Sequence, residues 1–214
     1  MKVTFALYDG VTPLDLVGPY QVLSAVPQAE IRLAAVQAGE LRTDSGMRIS
    51  ADYALADLDA SDVIIVPGTG QLKRALSNRA LIGWLTEQGP RANWLGSVCT
   101  GSLLLGAAGL LRGKRATTHW LALPMLSEFG ATPVESRVVF DDTLVTGAGV
   151  SAGIDMALSL VERIWGSEAA QIAQLAIEYD PDPPCAAGSP RTATPAVVAA
   201  ATQRAIAASD MEGP

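Results

Sequence analysis

The chain has 214 residues, 49% of them apolar, and its 15 basic against 22 acidic residues give a net charge of −7. This length supports one well-packed core, so a single domain over residues 1–214 is the simplest prediction. The acidic balance and the absence of a basic run from the sequence argue against nucleic acid or an anionic membrane as the main partner.

Targeting and metal-binding signals are weak in this sequence. The first apolar stretch ends at Asp9 without a small-residue cleavage site, and no later stretch reaches transmembrane length without charges or Pro. We therefore expect a soluble, cytoplasmic protein. Cys99 and Cys185 are the only cysteines and His119 is the only histidine, too few for a disulfide framework or an ordinary zinc centre. No metal is predicted, although a carboxylate-based site stays open.

The first part of the chain alternates apolar runs with helical periodicity. The run from Val63 to Val66 is apolar throughout, which is typical of a strand buried on both faces of a parallel sheet. The predicted elements are, in order, strand 3–8, helix 14–25, strand 31–36, an irregular or hairpin excursion over 41–49, and strand 62–66.

The second part continues this alternation and then changes composition. Its predicted elements are helix 71–89 with a break near Ser77-Asn78, strand 94–98, helix 101–111, strand 115–118, a helix from His119 to Gly130, extended pieces over 133–146, helix 151–165, an extended Pro-rich segment over 180–195, a helix at about 196–208 and a polar tail. Buried strands that alternate with helices predict an α/β fold, a flavodoxin-like three-layer sandwich with a mostly parallel central sheet.

A junction of strand, turn and helix at Cys99 organises the predicted site. The strand ends at Val98, and the helix begins at Gly101. A nucleophile elbow needs small residues two positions before and after its central residue, and Ser97 and Gly101 meet that need. The helix N-terminus would favour the thiolate, which makes Cys99 the candidate nucleophile. The alternative is a buried structural cysteine.

Ligands bind at the carboxyl edge of the strands in open parallel sheets. Four segments are predicted to meet there: the turn before Asp15, the loop Pro67 to Gly70, the Cys99 turn, and the loop Gly147 to Ser151. The N–H of Thr100 and that of Gly68 or Thr69 are predicted to stabilise developing negative charge. No Gly-Lys-Ser/Thr follows the Gly-rich loop, so a phosphate loop is not predicted.

Several of these residues have a second interpretation. Asp15 is predicted to share a proton with Cys99 or to deliver one to substrate, but an acid in a first helical turn can simply cap the helix. His119 could be the base that often accompanies a cysteine nucleophile, or a structural histidine. Cys185 is interpreted as incidental rather than as a resolving thiol, and the Gly-rich loop could be an ordinary turn that ends a strand.

The chain resembles the ThiJ/PfpI superfamily from its first strand to about residue 195. Within that superfamily it is most similar to isonitrile (isocyanide) hydratases. The residues that carry the resemblance are Leu14-Asp15-Leu16-Val17-Gly18-Pro19, Val66-Pro67-Gly68, Ser97 to Gly101, Arg115 to Trp120, and the late stretch Tyr179 to Pro190.

The resemblance implies a homodimer without a cofactor, acting on a small molecule, with an acid from the first loop beside the nucleophile. It implies hydration of an isocyanide to an N-substituted formamide by Cys99, Asp15 and Thr100, with Gly68, Thr69, His119 and Ser151 around the pocket. Two alternatives stay open: glyoxalase-like or deglycase action on small dicarbonyls, and a non-catalytic sensor of small molecules or oxidants.

Two departures from the superfamily pattern limit what the resemblance implies. The protease-like branch has a histidine directly after the cysteine, and this chain has Thr100, so peptidase activity is not expected. The loop of the superfamily is often Pro-Gly-Gly, and Thr69 stands here in place of the second glycine. Asp15 stands where many dicarbonyl-active relatives carry Glu, which weighs mildly against the glyoxalase alternative.

Overall fold

A computed structural model of the chain describes residues 1–210, with side chains described as far as residue 207; the end of the predicted polar tail, residues 211–214, lies outside the described residues. The strands are β1 (Lys2–Leu7), β2 (Glu30–Ala35), β3 (Gly39–Arg42), β4 (Arg48–Ala51), β5 (Tyr53–Ala54), β6 (Val63–Val66), β7 (Trp94–Val98), β8 (Arg115–Ala116), β9 (Thr132–Pro133), β10 (Val138–Asp141) and β11 (Leu144–Gly147). The α-helices are α1 (Pro13–Ser24), α2 (Leu72–Leu76), α3 (Arg79–Gln88), α4 (Gly101–Ala107), α5 (Ala152–Trp165), α6 (Ser167–Ala176) and α7 (Pro195–Asp210).

The central sheet has seven strands in the order β10-β11-β7-β6-β1-β2-β5. All neighbouring strands are parallel except the edge pair β10 and β11, which is antiparallel. The interior strand β1 is paired on both sides, so that Phe5 lies opposite Leu33 of β2 and Ile65 of β6. The prediction of a mostly parallel central sheet is confirmed.

Both faces of the sheet are covered by helices. In β6, Val63 and Ile65 belong to one apolar core, which α1, α5 and α6 complete, and Ile64 and Val66 belong to the other, which α2, α3 and α4 complete. A strand buried on both faces must be apolar at every position, as this one is. The predicted flavodoxin-like three-layer sandwich is therefore confirmed.

Local differences from the predicted elements have physical causes. The excursion over 41–49 is the hairpin of β3 and β4. The predicted helix after His119 is a 3-10 helix over Trp120–Phe129, with Pro124 inside it, and a proline removes a backbone donor from a helical ladder. The predicted helix 101–111 ends at Ala107. Helix α6 was not predicted; Gly166, at φ 93°, separates it from α5.

The junction between β7 and α4 leaves no room for a side chain at Gly101, the first residue of α4. A Cβ on Gly101 would lie 2.1 Å from the Val66 carbonyl oxygen, and backbone atoms of a central strand cannot move aside. We expect Gly101→Ala to lower the free energy of unfolding by about 3 kcal/mol or more, measured by urea denaturation. The control is Gly83→Ala in α3, where a Cβ meets no atom within 4 Å and alanine should stabilise the helix by about 0.5–1 kcal/mol. Equal stability of the two variants would contradict this packing.

Candidate active site

Cys99 forms the sharp turn between β7 and α4. Its φ is 56°, a left-handed conformation that costs a non-glycine residue of order 1–3 kcal/mol. Backbone hydrogen bonds hold it there: the Cys99 N–H donates to the Gly147 carbonyl at 3.0 Å, and the Cys99 carbonyl accepts from the hydroxyls of Thr118 at 2.8 Å and Ser102 at 3.2 Å. The turn thus carries strain that neighbouring elements restrain, and strained residues of this kind concentrate at functional sites.

Asp15 reaches this turn from the first turn of α1 and is fully buried. Its Oδ2 accepts a hydrogen bond from the Gly68 N–H at 3.1 Å, across the site, whereas Oδ1 has no partner among the described residues. Burial raises the pKa of Asp15 to about 8, although hydrogen bonds from Gly68 and Cys99 oppose the shift. The carboxyl group therefore holds a proton at neutral pH beside the thiol, a different task from capping α1.

Cys99 is nearly as buried as Asp15, with 5% of the residue exposed. Burial raises the pKa of Cys99, the negative charge of Asp15 raises it further, and the Thr100 N–H opposes both. The Thr100 N–H at the helix N-terminus lowers the pKa of the thiol, as expected, but burial and the charge of Asp15 outweigh it, so the net shift is upward and the expected preference for the thiolate is not met. The pair therefore binds its protons more tightly than either group would in water.

The N–H donors predicted beside Cys99 are mostly engaged. The Gly68 N–H binds Asp15, and the Thr69 N–H donates to the Thr100 hydroxyl at 2.8 Å. That hydroxyl donates in turn to the Thr69 carbonyl, also at 2.8 Å. Gly68 and Thr69 thus hold Asp15 and the turn in place, contrary to the prediction that one of them faces a developing charge. The Thr100 N–H is the donor directed at the Cys99 sulfur.

His119 and the Cys99 thiol both lie beside Gly149. A Cβ on Gly149 would lie 2.3 Å from His119 Cδ2 and 3.2 Å from the Cys99 sulfur, so the ring and the sulfur flank the same small space. Burial lowers the pKa of His119, and its Nδ1 accepts from the Leu121 N–H at 3.4 Å. A neutral imidazole with one nitrogen occupied matches both earlier interpretations of His119, since it caps the 3-10 helix and also borders the site.

A cavity of about 370 Å³ opens beside Gly149. Trp120, Leu123 and Pro124 give it an apolar side. Its other lining residues are Thr117, Thr118, Glu135, Ser136, Arg137, Ala148, Gly149 and the stretch from Gly188 to Arg191. The Pro-rich segment therefore lies over the cavity of its own chain, where Arg191 pairs with Glu135 at 3.6 Å.

Ser151 is the predicted pocket residue that the structure does not bring to Cys99. It precedes α5, its side chain is exposed, and its hydroxyl accepts from Arg137 at 3.1 Å. Arg137 also pairs with Asp155, which accepts from the Tyr179 hydroxyl at 3.1 Å. Ser151 thus belongs to a polar network at the rim of the cavity.

Two residues near the site escaped the sequence interpretation. Thr118 binds the Cys99 carbonyl, and Tyr8 is buried where burial and the charges of Asp15 and Cys99 raise its pKa. Tyr8 directly follows β1 at the carboxyl edge of the sheet, and this position is the signal that could have identified it.

Neither a cluster of metal ligands nor a membrane-spanning helix occurs in the part of the chain that the structure describes. Among residues 1–210, no three His, Cys, Asp or Glu side chains come together in a way that could hold a metal ion. Within the same range, no helix is both long enough and apolar enough to cross a membrane.

The fold is a parallel sheet between two helical layers, and the site is a buried acid beside a cysteine on a strained strand-to-helix turn. Together they define the class of α/β sandwich proteins with a cysteine at the elbow between strand and helix. The chain belongs to the DJ-1/PfpI family, whose model matches residues 1–163. The resemblance to the ThiJ/PfpI superfamily drawn from the sequence motifs is thereby confirmed.

Similar proteins agree with this assignment. The chain is 42% identical to the isonitrile hydratase of Pseudomonas putida over 205 residues, which are 96% of this chain and 90% of that protein. The crystal structure of a ThiJ/PfpI family protein from Pseudomonas syringae is 38% identical, with a TM-score of 0.91 over all of this chain and 90% of the other. Drosophila melanogaster DJ-1beta, 20% identical over 84% of this chain and 98% of that one, has the same fold, with a TM-score of 0.75.

Proposed function

We propose that the protein hydrates isocyanides to N-substituted formamides, without a cofactor, through a thioimidate on Cys99. The observation that carries the proposal is a buried carboxyl group that holds a proton next to a thiol, in a chain 42% identical to an isonitrile hydratase over nearly its whole length. The terminal carbon of an isocyanide must gain both a nucleophile and a proton, and this pair supplies one of each.

In the first step, sulfur bonds to the terminal carbon and a proton is delivered to the same carbon. Asp15 delivers that proton and recovers one from the thiol, so the R–N≡C group becomes R–N=CH–S–Cys99 with no net change in charge. The Thr100 N–H stabilises the negative charge that develops on the sulfur as the thiol proton leaves. The closeness of Asp15 to Cys99 replaces the diffusion of two catalysts from solution.

In the second step, water adds to the thioimidate carbon and the carbon–sulfur bond breaks. The nitrogen gains a proton, R–NH–CHO leaves, and the thiol is restored, so the sum of both steps is addition of one water. Asp15, protonated again after the first step, supplies the proton that the nitrogen gains, and it recovers one from the hydroxyl of the adduct as the carbonyl forms. Neutral His119, beside Gly149, accepts a proton from the attacking water and returns it to the departing sulfur. The apolar side of the cavity, formed by Trp120, Leu123 and Pro124, is the proposed place of the N-substituent.

The first experiment measures formamide production from a simple alkyl or aryl isocyanide by the purified protein. Turnover above the buffer rate is the expected result. Absence of turnover across several isocyanides, with lactate formed from methylglyoxal, would overturn the proposal in favour of dicarbonyl chemistry. No turnover in either assay, with Cys99 oxidised by mild peroxide, would favour a sensor.

The space between His119 and Cys99 offers a sharper test of where the substrate lies. A Cβ in Gly149→Ala would lie 2.3 Å from His119 Cδ2, so the ring must shift, and we expect kcat/KM for the isocyanide to fall at least about tenfold, because reacting groups tolerate little displacement. The control is Gly188→Ala, which alters the same cavity where a Cβ meets no atom within 4 Å, and it should change kcat/KM less than about twofold. Equal effects of the two substitutions would place the substrate elsewhere.

We further propose that the protein works as a homodimer. Leu14, Val17 and Tyr20 on α1 keep 43%, 43% and 37% of their surface exposed. They follow one another at three-residue spacing, so they form an apolar stripe on one side of the helix. Light scattering of the purified chain should give twice the monomer mass, and Val17→Asp should reduce it.

A further inference from the structure

Tyr8 is a buried polar residue that the proposed reaction does not yet use. It follows β1, only 3% of it is exposed, and its hydroxyl donates to the Pro67 carbonyl at 2.7 Å. A buried phenol usually needs such a partner, so the bond alone could be structural. The acceptor of this bond, however, belongs to the peptide group that binds Asp15.

The Pro67 carbonyl and the Gly68 N–H belong to the same peptide group. Tyr8 binds the oxygen of this group, and Asp15 Oδ2 accepts from its N–H at 3.1 Å. The peptide is trans, so its oxygen and its hydrogen point in opposite directions. The phenol, the peptide and the carboxyl group therefore form one chain of hydrogen bonds.

We propose that Tyr8 is a positioning residue for Asp15, acting through the peptide between Pro67 and Gly68. A hydrogen bond to the peptide oxygen fixes the plane of the peptide and polarises its N–H, which makes the N–H a stronger donor. The stronger donor favours the ionised carboxylate of Asp15. Tyr8 therefore opposes the loss of acidity that burial causes in Asp15. The catalytic consequence rests on the proposed function, whereas the effect on Asp15 does not.

The direction of the effect follows from the groups that face Asp15. The Gly68 N–H and the Cys99 thiol lower its pKa by hydrogen bonding, whereas Asp44, from the β3–β4 hairpin, raises it. Tyr8 stays neutral over the working pH range because its own pKa is raised well above the ordinary value. Loss of the Tyr8 hydroxyl weakens the Gly68 bond, so the pKa of Asp15 should rise.

The experiment is a titration of the Asp15 carboxyl carbon by NMR, in protein labelled with carbon-13 at aspartate carboxyls. Asp15→Asn removes the signal and so assigns it. We expect Tyr8→Phe to move the titration midpoint upward by about half a pH unit. Tyr53→Phe is the control, since Tyr53 is 45% exposed on the edge strand β5; its midpoint should equal that of the wild type.

A second probe covers the case in which Tyr8→Phe does not fold. Incorporation of 3-fluorotyrosine at all four tyrosines makes the phenol a stronger donor, and the midpoint should then move downward, in the wild type and in Tyr53→Phe alike. An unmoved midpoint with either probe would overturn the role of Tyr8.

The isocyanide assay separates this proposal from the proposed function. With Tyr8→Phe we expect kcat to fall about threefold to tenfold with KM unchanged, and the alkaline limb of the pH profile to move with the NMR midpoint. If Tyr8→Phe moves the midpoint but the wild type turns over no isocyanide, the role of Tyr8 is kept and the proposed reaction is refuted. Turnover with an unmoved midpoint would do the reverse.

Discussion

Replacing Cys99 with alanine is expected to abolish formamide production, by at least about a thousandfold. The sulfur is the atom that bonds to the isocyanide carbon in the proposed reaction, and no other described thiol lies at the site, since Cys185 is exposed in the Pro-rich segment. Without the sulfur, water would have to attack the isocyanide carbon directly. Asp15 can supply a proton in this variant, but it does not supply the nucleophile. The measurement is the initial rate of formamide formation, followed by chromatography.

The matched control is Cys185→Ala, which removes the other cysteine and should keep the full rate. Cys99→Ala must also be shown to fold, and we expect a change of about 1 kcal/mol or less in its free energy of unfolding, because alanine keeps the backbone bonds to Gly147 and Thr118. A folded Cys99→Ala protein that keeps the wild-type rate would disprove covalent catalysis. Loss of rate in both variants would assign a role to Cys185.

The sequence allowed the sheet and the turn to be predicted because their signals are local. An apolar run such as Val63 to Val66 is buried on both faces wherever it lies in a parallel sheet. The small residues around Cys99 are required by the close approach of β6, as the 2.1 Å distance from a Cβ on Gly101 to Val66 demonstrates. Neither inference needed a knowledge of distant contacts.

The electrostatics of the site could not be predicted in the same way. The pKa of Cys99 depends on burial and on the charge of Asp15, and both depend on contacts between residues 84 positions apart in the chain. The engagement of Thr69 with the Thr100 hydroxyl likewise needs coordinates. The helix N-terminus beside Cys99 can be read from the local sequence. The desolvation of the thiol cannot, because it depends on residues that are distant in the chain.

The 3-10 helix and α6 were missed for a similar reason. The pattern after His119 has helical spacing, but Pro124 interrupts the ladder of a segment that packs on α4. Helix α6 buries Ala173 fully while leaving Leu175 and Ile172 largely exposed, so its apolar residues do not mark its buried face. A periodicity argument is unreliable where the apolar side faces outward.

Replacing Asp15 with asparagine is expected to lower the rate of formamide formation by about a hundredfold to a thousandfold and to stabilise the protein at alkaline pH. Asparagine keeps an oxygen that can accept from the Gly68 N–H, but it cannot deliver a proton, and general acid catalysis typically contributes a factor of this size. The control is Asp142→Asn on the surface, whose side chain is 77% exposed; its backbone has φ 58°, which asparagine adopts readily.

The sign of the stability change follows from the pKa of Asp15. Folding raises that pKa from an ordinary value of about 4 to about 8, so between these pH values the native chain binds more protons than the unfolded chain. The contribution of Asp15 to the free energy of unfolding is therefore greatest below about pH 4 and falls as the pH rises to about 8. Asparagine has no proton to lose and removes this fall.

Urea denaturation at pH 4.5 and at pH 8.5 measures the difference directly. We expect the two proteins to be nearly equally stable at pH 4.5 and Asp15→Asn to be more stable by of the order of 3 kcal/mol at pH 8.5. A wild type that is the more stable protein at pH 8.5 would mean that Asp15 is ionised at little cost. With the expected result, the rate loss and the stability gain have one cause: burying the acid holds a proton beside Cys99, and the fold is destabilised when that proton leaves.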